Sequence, residues 1–266
     1  MRLLPAERFA PIFEPLRGKR MGYVTLPGNF GDKLIEMATF QLLELFGVNY
    51  YIQGTSEECS ADELLVAGGG NMGTLWEAAR SVRMKALAFG KPVTVLPQSF
   101  NAPENLNYHR VYVREANSLR FRSDAVLAPD LALGLDYSSA TEPSEPLGIW
   151  LRKDKEALFA GHSTGDPIRA CKTVQEYIDL AGTYSCLVTD RLHLAICGLL
   201  QKRAVTLLPN SYHKNRSMWE TWLQDLGCAW SDALAVELLG RSALKLPAPA
   251  NGESTQVPSV SRDSMT

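Results

Sequence analysis

Three short stretches of this chain carry residue types suited to holding an anion: Arg152, the run Asp190-Arg191-Leu192-His193, and the run Asn210-Ser211-Tyr212-His213-Lys214. Each follows an apolar, β-rich stretch, at 147–151, 185–189 and 204–208. Arginine offers phosphate or carboxylate a planar, bidentate fork, and lysine adds a point charge. Asp190 is placed to cap the following helix, which puts Arg191 and His193 in its first turn. The macrodipole makes that end positive, so cations there weaken the helix. A sequence that breaks a local rule in this way is expected where an anion is bound. In open parallel sheets ligands bind beyond the carboxyl ends of the strands, and all three basic stretches fall at that edge.

Two earlier stretches supply a different kind of wall. Gly28-Asn29-Phe30-Gly31-Asp32 follows the run 21–26, and Gly68-Gly69-Gly70-Asn71-Met72-Gly73 follows the run 63–67. Both read as strand-to-helix turns, where glycine lets backbone N–H groups approach a ligand and the helix start favours negative charge. The second run fits GxGxxG. A dinucleotide site also needs an acid about 20 residues on, where Leu96-Pro97-Gln98-Ser99 offers none, so no nicotinamide or flavin is expected. As a plain charge at a helix start, Asp32 would contribute roughly 0.3–1 kcal/mol. Taken singly, Arg152 reads as a solvated charge, Arg191 as the partner of Asp190 or another carboxylate, and His193 as a core histidine. Taken together, they read as the grip on a small, doubly anionic substrate that faces Asp32.

The elements that must position these residues alternate short apolar runs with longer amphipathic ones, the rhythm of βα units. Strands are expected at 21–26, 49–52, 63–67, 92–96, 111–114 and 125–127, with helices over 33–46 and 75–89. A stretch rich in Ser, Thr, Glu and Pro at 137–146 reads as a linker. A second series follows: strand 147–151, helix 172–181, strand 185–189, helix 191–200, strand 204–208 and helix 216–226. The expected class is α/β, with two Rossmann-like domains, 21–140 and a short 147–245, facing across a cleft. Residues 1–20 combine five cations and two acids with apolar Leu3, Leu4, Phe9, Ile12, Phe13 and Leu16. They read as a capping helix, with contact to anionic lipid as the alternative. Residues 246–266 have the composition of a disordered tail.

Composition narrows the setting. With 45% hydrophobic and 21% charged residues the 266-residue chain is an ordinary globular sequence. Its net charge of -2 gives no general attraction to nucleic acid, so any anion site is local. Cys59, Cys171, Cys186, Cys197 and Cys228 lack paired spacing and read as buried free thiols of a reducing compartment. No apolar stretch approaches bilayer length and no signal-peptide core is visible, so a cytoplasmic protein is expected. His109, His162 and His213 read as structural or solvent-facing, and without HxxxH spacing no metal site is expected.

An ordered set of these pieces resembles the polysaccharide pyruvyl transferase family. It comprises Gly28-Asn29-Phe30-Gly31-Asp32, Gly68-Gly69-Gly70, Leu96-Pro97-Gln98-Ser99, Arg114-Glu115-Ala116-Asn117-Ser118, Pro129-Asp130-Leu131-Ala132, Leu151-Arg152, Thr189-Asp190-Arg191-Leu192-His193 and Asn210-Ser211-Tyr212-His213-Lys214. The resemblance covers about 22–215 and implies a fold like that of GT-B glycosyltransferases. It implies transfer of the enolpyruvyl unit of phosphoenolpyruvate to two hydroxyls of one sugar, leaving a pyruvate ketal and phosphate. No cofactor is implied. The acceptor would be a lipid-linked oligosaccharide or surface-glycan precursor at the inner face of the plasma membrane.

By the family's pattern Arg152, Arg191, His193 and Lys214 hold the donor's phosphate and carboxylate. Asp32 would be the general acid, a role for which His193 competes. Asn29, Gly69, Gly70, Gln98 and Ser99 complete the substrate-binding set. Leu194 follows the histidine where many relatives carry a smaller residue, which narrows the pocket. Two other readings stay open: a nucleotide-sugar glycosyltransferase on the same fold, and a non-catalytic glycan-binding or scaffold protein.

Overall fold

The computed structural model of the chain describes residues 2–138, 142–159 and 163–239. His162 and the tail expected at 246–266 lie outside the described residues. The chain opens with three short helical turns, Ala6–Phe9, α1 (Ala10–Phe13) and Glu14–Leu16. One continuous helix over 1–20 does not form, because Pro11 and Pro15 lack an N–H and restrict the residues before them. Phe9, Ile12, Phe13 and Leu16 are buried in the main core, so the apolar side chains that would meet lipid are largely inside.

Two parallel sheets carry the rest. The first is formed by β1 (Arg20–Val24), β2 (Asn49–Ile52), β3 (Glu63–Val66), β4 (Gly69–Met72), β5 (Val93–Phe100), β6 (Arg110–Val113) and β7 (Val126–Leu127). Its order is β2-β1-β3-β5-β6-β7, with β4 also on β5. Helices α2 (Phe30–Leu45) and α3 (Glu77–Ala88) connect it. The second sheet runs β11-β10-β9-β8, from β8 (Glu145–Trp150), β9 (Tyr184–Thr189), β10 (Ala204–Leu207) and β11 (Ala229–Trp230). Between and after these strands come α4 (Pro167–Ala170), α5 (Val174–Gly182), α6 (Leu192–Leu200), α7 (Lys214–Met218) and α8 (Asp232–Leu239). The periodicity gave no sign of β11 or α8, and α7 is shorter than the expected 216–226 helix because a π-type turn, Trp219–Leu223, follows it.

The glycine run departs most from expectation. Gly69–Met72 is a strand rather than a turn into a helix, and α3 starts only at Glu77. The cause is β5, which passes its expected end at 96 and reaches Phe100. Its first half pairs with β3 and its second half with β4, through Gly69 opposite Gln98 and Met72 opposite Phe100. Pro97 sits where the register with β6 shifts, a place in a sheet where a missing N–H is tolerated. Gln98 stitches the break between β3 and β4. Its Oε1 accepts from Asn71 N at 2.9 Å and its Nε2 donates to Ala67 O at 2.7 Å.

One large apolar cluster reaches from Phe9 to Cys228 and includes side chains from the elements of both sheets. Helix α6 lies inside it. Leu194, Ala195, Ile196 and Cys197 are fully buried, as expected of a helix that is apolar all round. Each large aliphatic side chain there contributes roughly 1.5–3 kcal/mol. His193 is the polar exception. All five cysteines are free; Cys186 is exposed and Cys59 half-buried, so the expectation of uniformly buried thiols fails at these two. Among the described residues no helix is long and apolar enough to cross a membrane.

Candidate active site

The first wall of the site is built at the ends of β1, β4 and β6. Asn29 caps α2, with its Oδ1 accepting from Gly31 N at 2.8 Å while Asp32 Oδ2 accepts from Asn29 N at 2.7 Å. This reciprocal box is structural, and it also fixes Asp32 at the pocket edge. A Cβ at Gly31 would stand 2.5 Å from His193 Nδ1, so the glycine is what allows the imidazole to approach the helix start.

Arg114, directly after β6, is the central cation of this wall and is 1% exposed. Its Nε donates to Ser99 Oγ and its Nη1 to Asp130 Oδ2, both at 2.8 Å. Nη2 makes no hydrogen bond to protein among the described residues, and a Cβ at Gly70 would lie 2.9 Å from it. His193 Nε2 is 3.3 Å from Asp130 Oδ2. The same Nε2 lies 3.4 Å from Arg114 Nη1, so it stands between an acceptor and a donor, while Nδ1 packs against Gly31. Burial works to raise the pKa of Asp130, but His193 and Arg114 hold it well below the usual carboxylate range.

The second wall comes from β8, β9 and β10. Arg191 makes a two-pronged pair with Asp166, Nε to Oδ1 at 2.7 Å and Nη2 to Oδ2 at 2.6 Å, and Nη2 also lies 3.2 Å from Asp154. Arg191 Nη1 is left without a hydrogen bond among the described residues. Arg152 pairs with Asp154 at 2.9 Å and with Glu156, which also receives Lys214 Nζ and, at 3.0 Å, Asn210 Nδ2. Burial alone would raise the pKa of Glu156, yet Lys214 and Arg152 bring it down to about 2. Lys214 is lowered to about 8, because burial outweighs the pull of Glu156.

Asp190 does not cap α6 as expected. Arg191 occupies the cap position, and Asp190 turns inward to accept from Arg152 N at 2.8 Å. Its other oxygen is buried without a hydrogen-bond partner, and burial raises its pKa to about 6 despite the nearby Arg152. His109 is exposed, whereas His213 lies 3.3 Å from Glu115 and stacks on Phe121, away from the pocket lining.

Both walls face one pocket of about 440 Å³, part of it open to solvent. Of the residues singled out by sequence, Asn29, Asp32, Gly70, Arg152, Arg191, His193 and Lys214 line it. Gly69, Gln98 and Ser99 do not. Gln98 and Ser99 are fully buried behind the wall, where one holds β4 and the other Arg114. Arg114, Asn71, Trp76, Glu156 and Tyr177 line the pocket without having been assigned a role. Arg114 had a usable signal, since it follows its strand directly, as Arg152 does. Glu156 stands four residues after Arg152, a spacing that does not by itself declare a partner.

Parallel sheets whose strand ends converge on a pocket lined by arginines and a lysine define the protein as a member of the α/β class. Residues 29–212 match the family described as polysaccharide pyruvyl transferase, and the chain belongs to that family. Membership points to a transferase with a pyruvyl-transfer role in polysaccharide. The chain is similar to General stress protein 30 of Bacillus subtilis (strain 168), at 26% identity over 229 residues, covering 68% of this chain and 67% of that one. It also superposes on the crystal structure of a functionally uncharacterised protein from Klebsiella pneumoniae with a TM-score of 0.69. The identity there is 24%, over 80% of this chain and 93% of the other, a likeness of fold alone.

Proposed function

We propose that the protein transfers the enolpyruvyl group of phosphoenolpyruvate to two hydroxyls of one sugar in a surface-glycan precursor. The products are a pyruvate ketal and phosphate. The observation that carries this reading is the convergence of Arg114, Arg152, Arg191 and Lys214 on one pocket that Asp32 and His193 also line. The donor bears a phosphate and a carboxylate, and the remaining Nη2 of Arg114 and Nη1 of Arg191 can each donate to such a group. The two sheets are read as GT-B-like halves that close on donor and acceptor. The reaction as proposed needs no cofactor, and the acceptor is read as lipid-linked, at the inner face of the membrane.

In the proposed reaction the donor's methylene carbon gains a proton and the first sugar hydroxyl adds to C2. The C–O bond to phosphate then breaks, and the second hydroxyl closes the ketal. The two hydroxyl protons balance the one taken up at carbon and the one leaving with phosphate. His193, which lines the pocket beside the buried Asp130 carboxylate, is placed to carry the proton to carbon. Asp32, at the pocket edge with its Oδ2 held by Asn29 N, is placed to accept the proton of the attacking hydroxyl through its other oxygen. Incubation with phosphoenolpyruvate and a panel of glycosides, followed by mass and phosphate release, tests the reading. Release of phosphate with a ketal-sized mass gain is expected. Binding of a nucleoside diphosphate in place of phosphoenolpyruvate would overturn it.

A further inference from the structure

Beside the donor pocket runs a larger groove of about 1160 Å³, also open to solvent. The two share Asn29, Asp32, Asn71, Trp76 and Arg191, so a molecule in the groove meets the donor at that junction. The floor of the groove is apolar, formed by the Trp76 indole with Leu75, Ala79 and Ile168. Its rim carries Lys153, Lys155 and Arg169, all exposed.

Asn71 stands at the junction and is 7% exposed. Both its backbone groups are fixed. The N–H donates to Gln98, and the carbonyl accepts at 3.2 Å from Arg83, which is itself fully buried and paired with Glu104 at 2.9 and 2.5 Å. The side-chain Nδ2, by contrast, is buried with no hydrogen-bond partner. A buried donor left unpaired costs about 1–3 kcal/mol, a cost that a ligand oxygen at the junction would remove. The charges of the groove are uneven in the same sense. Asp154 and Asp166 are engaged by Arg152 and Arg191, and Asp32 by the backbone of Asn29. Lys153, Lys155 and Arg169 have no ion pair among the described residues, and Glu77 is the remaining acid of the lining. Lys155 Nζ lies over the Trp76 ring, 5.7 Å from its centre, so a sugar stacking on that face meets a positive charge at once.

We propose that this groove is the acceptor site and that it takes a saccharide bearing a negatively charged substituent. The sugar ring lies on the Trp76 indole, whose negative π-face attracts polarised C–H groups. One ring oxygen or hydroxyl accepts from Asn71 Nδ2, and the negative substituent meets Lys153, Lys155 and Arg169. Either a phosphate ester or a uronic carboxylate supplies that charge. The assignment rests on the pyruvyl-transfer reading and names the class of its second substrate.

Calorimetric titration of the full-length protein with octyl glycosides of galactose, glucose and mannose, with the matching glycosyl octyl phosphates, and with octyl glucuronide tests it. For at least one sugar, a charged ligand should bind about tenfold or more tightly than its neutral counterpart, as three rim cations allow. The phosphate and carboxylate arms identify which charge is preferred. Combined Lys153→Gln, Lys155→Gln and Arg169→Gln substitution, on exposed side chains, should remove that preference. Trp76→Ala should weaken neutral and charged ligands alike, and Trp76→Phe should restore most of the loss. Equal affinity for neutral and charged ligands, or a preference that survives the triple substitution, would overturn the proposal. Failure of the wild-type protein to bind phosphoenolpyruvate is a separate result: it would remove the donor reading and the acceptor assignment with it.

Discussion

On the first-sheet side of the pocket, Arg114 is held by Ser99 of β5 and by Asp130, which caps the turn that follows β7. On the second-sheet side, Arg152, Arg191 and Lys214 are held by Asp154, Glu156 and Asp166, all from the segment between β8 and α4. Both arrangements keep buried arginines from standing unpaired, which would cost several kcal/mol. They differ in what an incoming anion can do. It cannot displace Asp130 without undoing the turn that Asp130 caps through Ala132 N, but it can compete with Glu156 for Arg152 and Lys214. The first wall therefore reads as a fixed anchor, and the second as a set of cations whose resting partners a ligand can replace.

The sharpest way to break the comparison is Arg114→Ala, which strands the buried Asp130 carboxylate. A loss of about 3–5 kcal/mol in urea unfolding is expected, with turnover abolished. Adding Asp130→Ala should recover much of the stability and none of the activity. Arg152→Ala should be milder in unfolding, because Glu156 keeps Lys214. Next in size are the groups proposed to move protons. His193→Gln and Asp32→Asn should each lower turnover by roughly 10²–10⁴-fold while melting temperatures stay close to wild type. Asparagine at position 32 can still accept from Asn29 N.

Glu156→Gln sharpens the contrast between the walls. It should lower the melting temperature of the free protein and tighten phosphoenolpyruvate binding in calorimetry, because Arg152 and Lys214 lose their resting partner. Weaker binding would mean that Glu156 shapes the pocket rather than competing for it.

The pH responses follow from the same groups. Glu156 falls from an ordinary 4.5 to about 2, so its contribution to stability is complete above about 4.5 and is lost as pH drops through 2. Lys214, lowered to about 8, should make phosphoenolpyruvate affinity fall as pH rises past that value, and Lys214→Arg should flatten that limb. Asp190 runs the other way, raised from 3.8 to about 6. The folded protein binds the extra proton in that window, so stability declines as pH rises through it. Asp190→Asn should remove that slope in thermal melts between pH 4 and 6, the smallest of these effects.

Much of the site was legible because strand ends are legible. Apolar runs stop at Leu151, Thr189 and Leu208, and the cations that follow had to emerge at one sheet edge. Arg114 obeys the same rule, directly after β6, but its neighbours Glu115 to Ser118 carry no further cation to mark the turn as basic. The glycine run misled, since three glycines read as a turn and only the length of β5 makes them a strand. Asp190 misled too: a residue placed to cap a helix faces inward because Arg152 N, 38 residues away, competes for its oxygen.

Local pattern alone thus determined the parallel α/β class, the strand ends and the cationic character of the turns, since period and composition act over a few residues. Which acid neutralises which cation, the glycine strand, the orphaned amide of Asn71 and the shared edge of the two pockets were decided only by tertiary structure. Those features depend on distances between side chains that are far apart in the chain, and burial gives such pairings their energy only once the sheets have packed.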